Sequence, residues 1–292
     1  MRAMRSPGRA WACGIVCFVL LLAGSAAAQS SKQDGAADRR GEPASTMEAL
    51  RSRAESGDVT ARFRMGLVYD LGVDVPEDNA QAIRWYTQAA EAGHADAAFN
   101  LALMYDLGEA GVPEDNPLAA RWYRRAAEGN HVDAAFNLAL MHDKGEAGIP
   151  EDNVQAVRWY ERAARAGKVD AAFNLALMYD LGEAGIPEDN AQAIYWYQLA
   201  AEDGHADAAF NLALIHDQGE AGVPEDNVQA VRWYRLAAEA GHVEAQYNLG
   251  VTYDNGEAGV PEDDKEAMHW YELAAAQGHM DAKINLRVLQ QQ

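Results

Sequence analysis

Five histidines recur at corresponding points of the chain, His94, His131, His205, His242 and His279, and Lys168 stands where the series skips. A row of imidazoles could ligate zinc or move protons, and the carboxylates around them could act as general acids or calcium ligands. Their spacing argues against shared chemistry. If each interval is one layer of stacked helices, successive imidazoles stand about 9–10 Å apart, too far to share one zinc ion. Capping or exposure at a turn accounts for them more simply. The runs Glu114-Asp115-Asn116 and their copies offer two acids and an amide, which attract calcium weakly. They lack the D-x-D-x-D-G order of a wrapped calcium loop, so helix capping is the better reading. No metal site and no cofactor is expected.

Nucleophiles are equally scarce. Past residue 56 there is no serine, and the two cysteines, Cys13 and Cys17, lie in an N-terminal segment expected to be removed. The threonines Thr46, Thr60, Thr87 and Thr252 fall in no nucleophile motif. Asp and Glu abound, but the same acids return in every repeat, whereas a catalytic site needs one constellation unlike its surroundings. The expectation is a protein that is not an enzyme.

The first residues set a compartment. Arg2, Arg5 and Arg9 precede an apolar stretch from about Trp11 to Leu22, and Ala26-Ala27-Ala28 then precede Gln29. That order is a secretory signal peptide, residues 1–28, cut most simply between Ala28 and Gln29. The alternative is an uncleaved anchor, but the strongly apolar part, Ile15 to Leu22, falls short of the roughly 20 residues that span a bilayer. Export to the periplasm, or secretion, is expected, with no stable membrane insertion after cleavage. The exported chain has no cysteine, so no disulfide supports it. It keeps 21 Lys+Arg against 45 Asp+Glu, a net charge of −24. That surface repels nucleic acid and anionic headgroups and favours partners that are neutral or basic. It serves equally to keep an exported protein in solution.

Residues 29–45 are polar, contain Gly, Pro and Ser, and form an expected disordered linker. Ser45 with Glu48 resembles a capping box that opens a leading helix at 46–56. The dipeptide Trp-Tyr then recurs six times at intervals of 37 residues: Trp85-Tyr86, Trp122-Tyr123, Trp159-Tyr160, Trp196-Tyr197, Trp233-Tyr234 and Trp270-Tyr271. A fixed period of this length is the mark of a solenoid. The repeats are 58–93, 94–130, 131–167, 168–204, 205–241 and 242–278, and a segment at 279–292 begins like a repeat's first helix. In repeat 94–130, apolar residues at 98, 101, 102 and 105 follow helical spacing. Gly108 suits a left-handed helix end, Asp115 an N-cap, and Ala119, Trp122, Tyr123, Ala126 and Ala127 line a second helix. The six tryptophans Trp85, Trp122, Trp159, Trp196, Trp233 and Trp270 are expected in the repeat core. The predicted fold is all-α, an α-α superhelical solenoid of helix-turn-helix repeats.

The pattern A-D-A-A-F-N-L-A-L-M-Y-D-L-G-E-A-G-V-P-E-D…A-x-x-W-Y-x-x-A-A closely resembles the Sel-one-like repeat, a relative of the tetratricopeptide repeat, over about residues 46–292. One departure is Ala102, Ala139, Ala176 and Ala213 where the family usually has glycine, kept here as Gly66 and Gly250. Some cysteine-rich members are associated with β-lactam binding or hydrolysis, but this chain lacks their cysteines and any S-x-x-K motif. The resemblance implies an envelope adaptor or a secreted host-contact factor whose first helices line a concave face. The face would hold Asp96, Phe99, Leu103, Asp106 and Leu107, with the copies Asp133, Phe136, Leu140 and Asp143; Asp170, Phe173, Leu177 and Asp180; and Asp207, Phe210, Leu214 and Asp217. An apolar groove rimmed by carboxylates suits a protein partner with a basic, hydrophobic segment. Whether the phenylalanines line the groove or pack inside the hairpin stays open at this point. The row Asn100, Asn137, Asn174, Asn211, Asn248 and Asn285 is expected to bond backbone between hairpins. End-to-end self-assembly is the third possibility. The polar tether and the final helix with Arg287 and Gln290 to Gln292 oppose it, so a monomer is expected.

Overall fold

The computed structural model describes residues 45–108, 111–146, 148–219, 222–257 and 259–291. The expected leader, all of the expected linker but Ser45, and Gln292 lie outside them. Among the described residues there are fourteen helices and no strand. Helix α1 (Ser45–Glu55) comes first, followed by α2 (Val59–Asp70) with α3 (Asn79–Glu91), α4 (Ala95–Leu107) with α5 (Asn116–Glu128), then α6 (Val132–Lys144) and, in chain order, α7 (Asn153–Arg165). Next come α8 (Val169–Leu181) with α9 (Asn190–Glu202), α10 (Ala206–Gln218) with α11 (Asn227–Glu239), and α12 (Val243–Asn255) with α13 (Asp264–Ala276); the last helix is α14 (Met280–Leu289). Two compact units divide the chain, one ending at Asp152 and the other beginning at Asn153. In each, every helix packs on the next, a tandem all-α stack of helix-turn-helix repeats. No described helix is long and apolar enough to cross a membrane.

Two alternating caps start the helices. Second helices open on an aspartate: the Asp78, Asp115, Asp189 and Asp226 side chains each accept the backbone N–H three residues on, at 3.0 Å. First helices open mostly on histidine, whose Nδ1 accepts the corresponding N–H at 3.2 Å for His131, His205, His242 and His279, and at 3.4 Å for His94. Lys168, with no acceptor, caps α8 without a side-chain bond. The capping aspartates satisfy donors that would otherwise be left open, worth about 0.5–2 kcal/mol each. The turn inside the hairpin needs a left-handed residue. Gly145, with φ of 63°, supplies it, and a Cβ there would lie 2.9 Å from the Glu151 nitrogen. In the first repeat, one residue shorter in this loop, Gly72 supplies it with φ of 61°, and Asp74, where the other loops have a second glycine, is also left-handed with φ of 62°.

Alanines form much of the core and let helices approach closely, while tyrosines fill what remains. Tyr86, Tyr123, Tyr160, Tyr197, Tyr234 and Tyr271 are all exposed by 1% or less. The tryptophans are less uniform than expected. Trp85, Trp196, Trp233 and Trp270 are buried, but Trp122 and Trp159 are partly exposed. Two consecutive bulky residues on a helix diverge by about 100°, so one of each pair must lie nearer the edge of the buried stripe. The glycine departure also acquires a reason. At Gly66 and Gly250 the Tyr86 and Tyr271 rings lie so close that a Cβ would come within 2.3 and 2.6 Å. In the intervening repeats the methyls of Ala102, Ala139, Ala176 and Ala213 are wholly buried.

Candidate functional site

The buried tyrosines carry a hydrogen-bond relay. Tyr197 donates its hydroxyl proton to Asp180 Oδ2 at 3.0 Å, and Asn211 Nδ2, from the next first helix, donates to the Tyr197 oxygen at 3.2 Å. The same arrangement links Asn100, Tyr86 and Asp70, then Asn248, Tyr234 and Asp217, then Asn285, Tyr271 and Asp254. Tyr123 donates to Asp106 at 2.8 Å, and Asn174 donates to Tyr160 at 3.2 Å. The asparagine row was expected to bond backbone, and this is corrected: in these bonds it meets tyrosine hydroxyls. Asp106, Asp180 and Asp217, expected as groove carboxylates, are half-buried and each has an oxygen engaged by a tyrosine. The signal was present in the sequence as an Asn 14 residues after every repeat tyrosine and an Asp 17 residues before it, or 16 in the first repeat, whose loop is one residue shorter.

The phenylalanines also turn inward. Phe99, Phe136 and Phe173 are buried, and Phe210 is half-buried. Phe99 stacks on His131 with ring centroids 4.1 Å apart, Phe173 on His205 at 4.2 Å, and Phe210 on His242 at 4.3 Å. Leu103 is buried as well, whereas Leu140, Leu177 and Leu214 are partly exposed and Leu107 is open to solvent. The phenylalanines and Leu103 are therefore corrected from groove anchors to packing residues. The capping imidazole of the following repeat occupies the face on which a ligand would have to stack.

What the first helices leave in reach of solvent in each unit is a set of carboxylates. On the first unit Asp96 is exposed and Asp133 partly so; on the second Glu244 is exposed and Asp170 and Asp207 partly so, with side-chain exposure of 60% for Asp96 and 50% for Asp207. Imidazoles stand beside them: His131 Nε2 is 3.8 Å from Asp96 Oδ1, and His242 Nε2 is 3.5 Å from Asp207 Oδ1. Burial pushes His131, His205 and His242 below the ordinary imidazole value, and the neighbouring carboxylates oppose that shift. Two further histidines, His142 and His216, stand where other repeats have Tyr105, Tyr179 and Tyr253. His142 is buried with neither ring nitrogen hydrogen-bonded, and burial lowers its pKa, with Arg124 reinforcing.

A second acidic feature lies in the connections inside the hairpins. The six hairpin connections, 71–78, 108–115, 145–152, 182–189, 219–226 and 256–263, each contain three acids and no base, eighteen carboxylates in all. Their crowding shows in the first unit: burial raises the Asp106 and Glu146 pKa values, and Glu114 adds to both. Burial likewise raises Asp217 and Glu257 in the second unit, with Glu225 contributing. No group of three or more metal-binding side chains occurs among the described residues.

Tandem helical hairpins joined by a repeated tyrosine relay define a helical repeat protein. A family model of the Sel1 repeat matches residues 59–94, 95–131, 132–168, 169–205, 206–242 and 243–279, and the chain belongs to that family. Such repeats are typical of scaffolds that bind protein partners and are generally non-catalytic. Among solved structures, a Sel1 repeat protein from Oxalobacter formigenes is 33% identical, with a TM-score of 0.68 over 89% of this chain and 75% of that one. The c5321 protein, a protective antigen present in uropathogenic Escherichia coli strains, is 32% identical with a TM-score of 0.55 over 82% of this chain. This chain spans 58% of that protein's length. No curated protein matches.

Proposed function

We propose that the protein is an exported, non-catalytic scaffold of the bacterial envelope that holds a protein partner through a basic segment with hydrophobic side chains. The observation that carries this reading is that each unit presents acids of its first helices in reach of solvent, Asp96 and Asp133 with the partly exposed Leu140 on the first, and Asp170, Asp207 and Glu244 with the partly exposed Leu177 and Leu214 on the second. Carboxylates at repeat intervals match lysines and arginines along an extended or helical segment, and the leucines receive its apolar side chains. The eighteen loop carboxylates add a long-range field that speeds the approach of such a partner and excludes nucleic acid. Residues 1–28 direct export, and mature protein isolated from a two-membrane bacterium is expected in the periplasm, as a monomer, with Gln29 at its N-terminus. A second reading, a secreted factor that meets a host, draws on the likeness to the protective antigen.

The test is capture of partners from envelope extract by wild type and by the combined variant Asp96→Asn, Asp133→Asn, Asp170→Asn, Asp207→Asn. The variant is expected to lose the partner, and wild type is expected to release it in moderate salt. Retention of every captured protein by the variant and in salt overturns the reading.

A further inference from the structure

Carboxylates of the first helices act on the capping imidazoles, and that pairing reaches beyond capping. His131 is faced by Asp96 from α4 and Asp133 from α6, with Phe99 covering its ring. His205 feels Asp170 from α8 and Asp207 from α10, under Phe173. His242 is faced by Asp207 from α10 and Glu244 from α12, under Phe210. In all three, Nδ1 accepts a backbone N–H, so the neutral ring carries its proton on Nε2.

Resting on the proposed partner-binding role of these carboxylates, we infer that His131 on the first unit, and His205 and His242 on the second, each act as a proton-operated release for a bound partner. A proton added at Nδ1 removes the acceptor on which the cap depends. It also turns the ring into a cation held between two carboxylates that the partner's basic side chains would otherwise engage. Three protonated rings would each offset part of the charge of Asp96, Asp133, Asp170, Asp207 and Glu244. Because burial makes these imidazoles harder to protonate than free histidine, the release operates below about pH 6.5. Lys168 gives the comparison within the chain: at the one joint without histidine a permanent cation lies 3.9 Å from Asp170, so that carboxylate is partly offset at every pH.

The experiment uses the full mature chain and a synthetic helical peptide with alternating lysine and leucine faces as probe, with binding followed by calorimetry from about pH 7.5 to about pH 5.5. The triple variant His131→Asn, His205→Asn, His242→Asn keeps a capping acceptor and removes the titration. Wild type is expected to lose about tenfold in affinity across the range, the effect of partly screened ion pairs added together, while the triple variant stays level. An equal fall in both overturns the release mechanism, because loop carboxylates would then account for it. So does a wild-type affinity that does not change. Binding at neutral pH that is insensitive to the four Asp→Asn changes overturns instead the partner-binding role on which the inference rests. Circular dichroism of each variant at both pH limits confirms that folded proteins are being compared.

Discussion

Where repeat 168–204 meets repeat 205–241, the chain makes two joints. Inside, Asn211 donates to Tyr197, which donates to Asp180, under a ring with no solvent exposure. Outside, His205 lies against Phe173 at 4.2 Å and accepts the Ala208 N–H in the first turn of α10. The inner joint closes around a fully buried ring, so the polar groups that lose water against it pair with one another, and it behaves as core. The outer joint is half in water, has Lys168 in the histidine's place one repeat earlier, and carries a titratable ring. One repeat thus supplies a fixed spine and a responsive rim, at residues only eight apart in sequence.

The largest expected effect breaks the spine. Tyr197→Ala should lower stability by about 3–5 kcal/mol, as deletion of a fully buried aromatic does, read as the denaturation midpoint in urea. A change below about 1 kcal/mol would erase the distinction between the joints. Tyr197→Phe keeps the ring but strands Asp180 and Asn211, and about 1–3 kcal/mol should be lost. Adding Asp180→Asn to it should cost less than the two single changes together, because the partners are coupled.

At the rim, His205→Ala should destabilise by about 0.5–2 kcal/mol, the value of a helix cap, and His205→Asn should restore most of it. The smallest effect is the pH profile. His94, His131, His205 and His242 bind protons less readily folded than unfolded, so the unfolded chain takes up protons first. Their stabilisation is complete above about pH 6.5 and is lost as pH falls below it. Asp106, Glu146, Asp217 and Glu257 act in the opposite sense, since their raised pKa values mean that protonation in the carboxylate range relieves repulsion. Melting temperatures across the acidic range should therefore drop first and then level. A monotonic rise on acidification would show that the imidazoles do not matter.

Much of this architecture was legible in the chain. Six Trp-Tyr pairs at one interval, aspartates after each Pro-Glu and glycine at each hairpin turn give the helices, their caps and their order. The candidate face was legible only in part. Asp96 and its copies are in reach of solvent, but helical spacing alone could not say whether Phe99 pointed to solvent, because the covering ring comes from His131, a full repeat away. The same limit applied to Asn100, whose tyrosine partner belongs to the preceding hairpin.

Periodicity by itself determined the repeat, its length, its capping residues and the concentration of negative charge in the connections, because these depend on neighbours along one chain. Tertiary packing decided which aromatic of each Trp-Tyr pair is sealed, that the aspartates closing the first helices serve tyrosines, and that histidines stand beside carboxylates in reach of solvent. Those outcomes arise where one repeat lies against the next. Distance in space, not order in sequence, sets which groups lose water and must pair.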